Sequence, residues 1–216
     1  MSILPSIYMF YGIMMLVVFM VRCIYILTSD FDKKERIVRY LNINNKYVFE
    51  ITTLNNGLLL IKEKYSKFEQ WVDYNHIYQQ FANEIKTDMS VLIVNEGIFK
   101  DLENFAFEFL SNTYCSVYDA SSLIYYCFVT NENLEFIEQF YDYFSKLDEE
   151  LVRSIYRYLD NNLNSLKTAR DLFVHRNTLN YRLNKFHFVT GVDIRTMQSA
   201  SLIHSYRIRH HYRFVK

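Results

Sequence analysis

The stretch SLKTARDLFVHRNTLNYRLNK, from Ser165 to Lys185, decides how the C-terminal part of this chain folds. Ala169 and Leu172 are three residues apart, and Leu179 and Leu183 are four apart, so each pair lies on one face of a helix. The intervening residues 173–176 leave room only for a tight turn. Two short helices joined in this way predict a helix-turn-helix, whose buried faces meet at a steep angle.

The predicted second helix, about 177–187, carries a polar face opposite Leu179 and Leu183. Arg and Lys suit guanine and phosphates, Asn suits adenine, and residues at the start of a recognition helix usually touch the bases. The candidate DNA-binding residues are His175, Arg176, Asn177, Thr178, Asn180, Tyr181, Arg182 and Lys185. Spacing alone leaves a second interpretation open, a solvated face on an ordinary helical hairpin.

Charge is distributed unevenly along a chain whose formal net charge is zero. Residues 147–216 hold 12 Lys and Arg against 6 Asp and Glu, whereas residues 1–146 hold 12 against 18. The C-terminal third is therefore basic, and a basic region that coincides with a helix-turn-helix indicates a nucleic-acid partner.

A longer pattern surrounds the opening stretch. It comprises Tyr158-Leu159, Asn161-Asn162, Ala169, Leu172, the run VHRNTLNYRL at 174–183 and TGVD at 190–193. This pattern resembles the C-terminal DNA-binding domain of PucR-type transcription regulators, which include the sugar-diacid (CdaR-like) regulators, and the resemblance covers residues 147–216. It implies that the second helix is the recognition helix and that DNA is contacted by Arg176, Asn177, Thr178, Asn180, Tyr181 and Arg182. Phe173 departs from the general helix-turn-helix pattern, because a glycine is common in that turn.

The N-terminal region contains an uncharged run at residues 3–21, followed by Arg22. About 20 apolar residues span a bilayer, so residues 1–28 are predicted to form a transmembrane helix. The basic residues Lys33, Lys34, Arg36 and Arg39 come next and predict a cytoplasmic body tethered to the membrane. The alternatives are a buried core or dimerisation helix in a wholly cytoplasmic protein.

The middle of the chain reads as a polar linker with a short helix at 29–46 and a small α/β domain at 47–146. Asn55-Asn56-Gly57 between apolar runs predicts a hairpin. Further elements are predicted as a helix at 67–87, a strand at 90–97, a helix around 102–110, a strand at 121–130 and a helix at 132–147. Many PucR-type regulators carry a degenerate cyclase-like domain before the DNA-binding end, and this segment matches that expectation by position and element order only.

The predicted C-terminal domain, 147–216, begins with a helix at 148–162 and ends with one at about 196–212. Gly191 is a predicted helix stop, and Met197, Leu202 and Ile203 are expected to face inward. The tail could contact phosphate through Arg207, Arg209, His210, His211 and Arg213, or could be simply solvated. The predicted fold class is thus α+β, with a helical helix-turn-helix domain after a small sheet domain and a transmembrane helix.

Sequence motifs for catalysis are absent: the chain has no Walker loop, GxGxxG, HExxH or GxSxG. Cys23, Cys115 and Cys127 lack the spacing of a zinc site or a disulfide framework, so no metal and no cofactor is expected. The leading hypothesis is a homodimeric, non-enzymatic transcription regulator that binds double-stranded DNA and responds to an unknown effector. A membrane-associated protein-interaction module and a nucleotide-dependent enzyme are the weaker alternatives.

Overall fold

The computed structural model describes residues 9–10, 13–14, 20–28, 31–44, 46–54, 57–66, 89–114 and 116–213. Its strands are β1 (Met9–Phe10), β2 (Ile13–Met14), β3 (Met20–Thr28), β4 (Val48–Thr53), β5 (Leu59–Tyr65), β6 (Met89–Asn95) and β7 (Val117–Asp119). Its helices are α1 (Phe31–Asn44), α2 (Leu102–Asn112), α3 (Ala120–Thr130), α4 (Glu135–Ser145), α5 (Glu149–Asp160), α6 (Ser165–Asp171), α7 (Arg176–Thr190) and α8 (Met197–Arg213).

A five-stranded sheet in the order β4-β5-β3-β6-β7 organises the first part of the fold. β3 is its central strand and pairs antiparallel with β5 and β6, while β7 pairs parallel with β6. Among the described residues, the two short strands β1 and β2 form a separate two-stranded sheet. The α+β class predicted from the sequence is confirmed for the residues that the structure describes.

Both faces of the sheet are covered. Cys23 and Tyr25 of β3 lie in the main core, which also contains side chains of α2 to α8. Ile24 and Ile26 lie in a smaller core on the opposite face, together with Ile37 of α1. Because successive side chains of a strand point to opposite faces, a strand covered on both sides is apolar throughout.

The predicted transmembrane helix is not supported. Its last nine residues, Met20–Thr28, form the central strand β3, and five consecutive side chains from Arg22 to Ile26 are buried in the sheet. Most of residues 1–19 lie outside the described residues. Among the residues described, no helix combines the length and apolar character needed to cross a bilayer.

Arg22 interrupts the apolar run because it has a buried partner. Its side chain donates to Glu63 Oε2 at 2.8 Å and to the Tyr65 hydroxyl at 3.1 Å, and that hydroxyl donates to Glu63 Oε2 at 2.6 Å. Arg22 is 3% exposed and Glu63 is fully buried. A buried charge is tolerated only when it is paired and hydrogen-bonded, so this cluster lets a charged residue sit in the central strand.

Residues 121–130 form a helix, not the predicted strand. The Asp119 carboxylate accepts from the Ser122 amide at 2.9 Å and the Ser121 hydroxyl at 2.7 Å, which caps α3. Ala120, Leu123, Ile124 and Cys127 are its buried apolar side chains, a helical spacing. The β-branched and aromatic residues of this stretch favour a strand, but the cap and the helical burial prevail.

Several other elements predicted for the middle segment are present in the structure. β4 and β5 pair antiparallel as the predicted hairpin, with Asn55 and Asn56 outside the described residues. β6, α2 and α4 match the predicted strand and helices. The predicted linker contains the 14-residue helix α1, whose Ile37 is buried against the sheet. The predicted helix at 67–87 lies outside the described residues.

The C-terminal helices pack directly against the sheet and its helices. Phe144 of α4 contacts Phe186 of α7 edge-to-face, with ring centroids 5.9 Å apart. The Tyr143 hydroxyl donates to the Val189 carbonyl at 2.9 Å. One hydrophobic core therefore runs from the sheet into the helix-turn-helix. The boundary at residue 147 stays a prediction.

Candidate nucleic-acid interface

A turn of left-handed residues connects α5 to α6. Asn162 and Leu163 have φ values of 51° and 62°. Buried Asn161 donates through Nδ2 to Asp171 Oδ2 at 2.9 Å, tying the turn to the end of α6. The Asn164 side chain then caps α6 by accepting from the Lys167 amide at 3.0 Å. Asn161 thus holds the turn in place, and Asn164 marks where the first helix of the motif begins.

Phe173 lies in the tight turn between α6 and α7 with a φ of 55°. This is the left-handed conformation that glycine adopts without steric cost. The Phe173 side chain is 96% exposed and gains no burial in return. The turn is closed by a hydrogen bond from the Val174 amide to the Ala169 carbonyl at 3.0 Å. The turn forms as predicted, with a strained residue in place of glycine.

The predicted recognition helix is α7, which begins at Arg176 and extends past the predicted end to Thr190. His175 caps it: its Nδ1 accepts from the Asn177 amide at 3.2 Å. Leu179, Leu183 and Phe186 are fully buried, as predicted for the inner face. Gly191, with φ 70°, ends the helix and donates its N–H to the His187 carbonyl at 2.8 Å.

Most of the candidate DNA-binding side chains point away from this buried face. The exposed ones are His175, Arg176, Asn177, Thr178, Tyr181 and Lys185, and Asn180 is half-buried. Tyr181 is 66% exposed. The fold therefore brings seven of the eight candidates together on the outer side and the leading end of α7. No contact in the structure tests whether they bind DNA.

Arg182 has a different environment from the other candidates. Its guanidinium pairs with the Glu150 carboxylate and also donates to Ser154 Oγ at 3.1 Å. Both partners belong to α5, and the Arg182 side chain is only 15% exposed. In this structure Arg182 braces α7 against α5, and its predicted contact with DNA remains a prediction.

Two cations that the sequence reasoning did not select lie on α6. Lys167 and Arg170 are exposed, three residues apart, and so share one face of that helix. Within the described part of the chain, neither they nor Arg176 and Lys185 form an ion pair. Their spacing in the sequence was the signal that could have identified them. The unpaired positive charge is thus contributed by both helices of the motif.

The C-terminal helix uses part of its basic charge internally. Arg207 pairs with Asp160 at 2.6 Å and Arg209 pairs with Glu138 at 2.5 Å. Leu202 and Ile203 are buried as predicted, but Met197 is 84% exposed, because the helix begins there and that end projects from the core. The side chains of His210, His211 and Arg213 lie outside the described residues.

The far end of the recognition helix is anchored on the sheet. Asn95, the last residue of β6, donates through Nδ2 to the Phe188 carbonyl at 2.8 Å. Burial lowers the pKa of neighbouring His187; the Asp193 and Asp119 carboxylates raise it, while Arg195 and Arg22 lower it further.

Comparison with known proteins identifies the helical part. Residues 151–205 match the model of the PucR C-terminal helix-turn-helix domain. The chain is 25% identical over 193 residues to the proline-responsive transcriptional activator PutR of Bacillus subtilis, covering 76% of this chain and 46% of PutR. It is 37% identical over 54 residues to the carbohydrate diacid regulator of Escherichia coli, covering 25% of this chain and 14% of that protein.

The chain thus spans less than half the length of these curated relatives. A crystal structure of a regulator of polyketide synthase expression from Bifidobacterium adolescentis covers 89% of this chain and 82% of its own, at 15% identity. Its TM-score of 0.38 is too low to support an inference about the fold. The matched range begins within α5 and ends within α8. Residues 151–205 of this chain belong to the PucR-type C-terminal helix-turn-helix domains.

Proposed function

We propose that this protein is a sequence-specific DNA-binding transcription regulator, not an enzyme, and that α7 reads its DNA site. The observation that carries this proposal is the unpaired positive charge on α6 and α7, on a domain whose family is that of DNA-binding regulators. Lys167, Arg170, Arg176 and Lys185 form no ion pair with any residue that the structure describes. Cations left free in this way are available to replace the counterions of a phosphate backbone.

The residues divide into two roles. Arg176, Asn177, Thr178, Asn180 and Tyr181 lie on the leading turns of α7, where a recognition helix meets base edges. His175, Lys185 and the α6 cations contact phosphates. Arg182 positions α7 through Glu150 and Ser154, and would have to release both to reach DNA itself.

A homodimer is the form in which we propose that the protein acts. One short helix reads only a few base pairs, whereas two recognition helices one DNA turn apart read a split site. The dimer would bind bacterial DNA in the cytoplasm.

Random duplex fragments retained by the full chain would supply a site for measurement. Arg176→Ala and Lys185→Ala are then compared with Arg36→Ala on α1 and Lys100→Ala before α2, which remove equally exposed cations from the sheet part of the molecule. We expect each of the first two variants to reduce the salt slope of binding by about 1, because one phosphate contact is lost.

Arg176→Ala should in addition bind altered sites almost as well as the selected site, if Arg176 contacts a base. The two control variants should bind like the parent protein. Unchanged affinity and salt slope in both α7 variants would overturn the assignment of the recognition helix.

A further inference from the structure

A cavity of about 430 Å³ lies on the main-core face of the sheet, beside the segment that leads into α2. Strands β3, β5 and β6 line it from one side and residues 96–104 from the other. We propose that this cavity binds a small organic cation, a primary amine attached to a short aliphatic chain. Its size falls in the range of small-molecule sites.

The sheet side of the cavity combines aliphatic side chains with polar ones. Leu60, Val94 and Leu102 supply aliphatic surface. Tyr25 lines the same cavity and is 5% exposed, yet its hydroxyl makes no hydrogen bond to any residue that the structure describes. Burial raises the pKa of Tyr25, so the hydroxyl stays neutral and can accept a hydrogen bond from an ammonium group.

The rim of the cavity has an excess of negative charge. Lys62 is already held by Glu50 at 3.3 Å and by Glu96 at 3.5 Å. Asp101 and Glu103 also line the cavity, and neither forms an ion pair within the described ranges. Three carboxylates against one lysine attract a cation and repel a phosphate.

The conformation of Asp101 supports a role beyond folding. It occupies the N-cap position of α2 with a left-handed φ of 54°, and its carboxylate makes no capping hydrogen bond. The Asp101 carboxylate is therefore not used to cap α2 and is available to a ligand. Together with the Tyr25 hydroxyl, which has no hydrogen bond to any described residue, it gives the cavity two kinds of acceptor.

The cavity lies next to the anchor of the recognition helix. Glu96 on the rim directly follows Asn95, whose side chain holds the Phe188 carbonyl at the end of α7. A ligand that draws residues 96–104 inward would shift this anchor. A change in DNA affinity when the amine binds rests on the proposed function, whereas the binding of the amine does not depend on it.

The test is calorimetric titration of the full chain with butylammonium, and with 1-butanol and butyrate as neutral and anionic probes of equal length. We expect butylammonium to bind at least tenfold more tightly than either, since only a cation gains the carboxylate contacts. L-norvaline distinguishes an amino acid from a simple amine as the ligand. If it binds more tightly than butylammonium, the ligand is an amino acid whose carboxylate contacts Lys62. If it binds more weakly, the ligand is a simple amine.

Variants locate the site. Asp101→Asn and Glu103→Gln should each weaken butylammonium binding about tenfold, and Tyr25→Phe should weaken it less. Asn accepts a left-handed φ, and Phe removes a hydroxyl without a partner, so both variants should fold. Glu108→Gln, an exposed carboxylate further along α2, is the matched control and should bind like the parent.

Equal binding of the three butyl probes, or no binding at all, would overturn the proposal. So would binding of ATP at this cavity, or unchanged affinity in both carboxylate variants with thermal unfolding like that of the parent. Arg176→Ala should bind butylammonium normally, so loss of DNA binding and loss of amine binding are distinguishable.

Discussion

The two parts of this molecule use their charged residues in opposite ways. The sheet part, residues 20–146, buries Arg22 and Glu63 against each other in its central strands. The helix-turn-helix part, residues 147–213, leaves Lys167, Arg170 and Arg176 exposed and without ion pairs among the described residues. The first arrangement is required by the fold, because a buried charge needs a partner. The second adds little to stability, and under the proposed function it is available to the phosphates of DNA.

The largest effect on stability is expected when the buried pair Arg22–Glu63 in the sheet is broken. Glu63→Gln should lower the free energy of unfolding by about 3–5 kcal/mol, because it leaves the Arg22 guanidinium buried without a counter-charge. Urea unfolding measures this loss. The double variant Arg22→Met with Glu63→Leu is the control, and it should recover much of the stability. A loss below about 1 kcal/mol in Glu63→Gln would contradict a structural role for the pair.

A smaller effect on stability is expected for Arg182, the charged residue of α7 that pairs within the protein. Arg182→Ala should cost about 1–2 kcal/mol of stability, since it removes hydrogen bonds to Ser154 and Glu150, and Glu150 is largely exposed. Arg176→Ala, which removes an exposed arginine from the same helix, should leave the unfolding free energy within about 0.5 kcal/mol of the parent. Equal losses in the two variants would show that Arg182 is not a brace.

A gain in stability is expected at the turn. Phe173→Gly should raise the unfolding free energy by about 0.5–1 kcal/mol. Glycine removes the steric strain that a left-handed φ causes in Phe, and this gain exceeds the cost of the larger conformational entropy that glycine gives the unfolded chain. Asn162→Gly is the matched control, since Asn tolerates its φ of 51° and should gain less. Thermal unfolding of the two variants provides the comparison. A destabilised Phe173→Gly protein would mean that the exposed ring packs on something.

The smallest effect concerns pH and the contact between the two parts. Burial of the side chain lowers the pKa of His187 below the ordinary value for histidine, about 6.5. As the pH falls below about 6.5, the unfolded chain takes up a proton before the folded one, so stability should be full above that pH and decline below it.

His187→Gln should flatten the decline in unfolding free energy between about pH 6.5 and 5. His204→Gln, on an exposed position of α8, should keep it. If both variants keep the full decline, the pH dependence arises elsewhere in the chain.

The sequence predicted the helix-turn-helix well because its signals are local. Leu179 and Leu183 set the inner face of α7, and Gly191 marks its end, without reference to distant residues. The role of Arg182 could not be predicted in the same way. Its partners Glu150 and Ser154 are 32 and 28 residues away in the chain, and only folding brings them together.

The sheet was harder to predict from sequence for a related reason. β3 is mostly apolar because α1 covers one of its faces and α2 to α8 cover the other. Such a strand has a composition close to that of the end of a membrane span. The stretch 121–130 is rich in strand-forming side chains, but its cap at Asp119 and the burial of Leu123, Ile124 and Cys127 make it a helix. The cap joins neighbouring residues, whereas the burial depends on contacts with distant parts of the chain.

What the sequence alone determined is therefore the two helices of the DNA-binding motif, the polar outer face of α7 and the basic character of the C-terminal third. These depend on helical periodicity and composition, which are properties of neighbouring residues. The tertiary structure decided which cations remain free, where Arg22 finds its counter-charge, and how Asn95 joins the sheet to the end of α7. These depend on contacts between residues far apart in the chain, and no local pattern records such contacts.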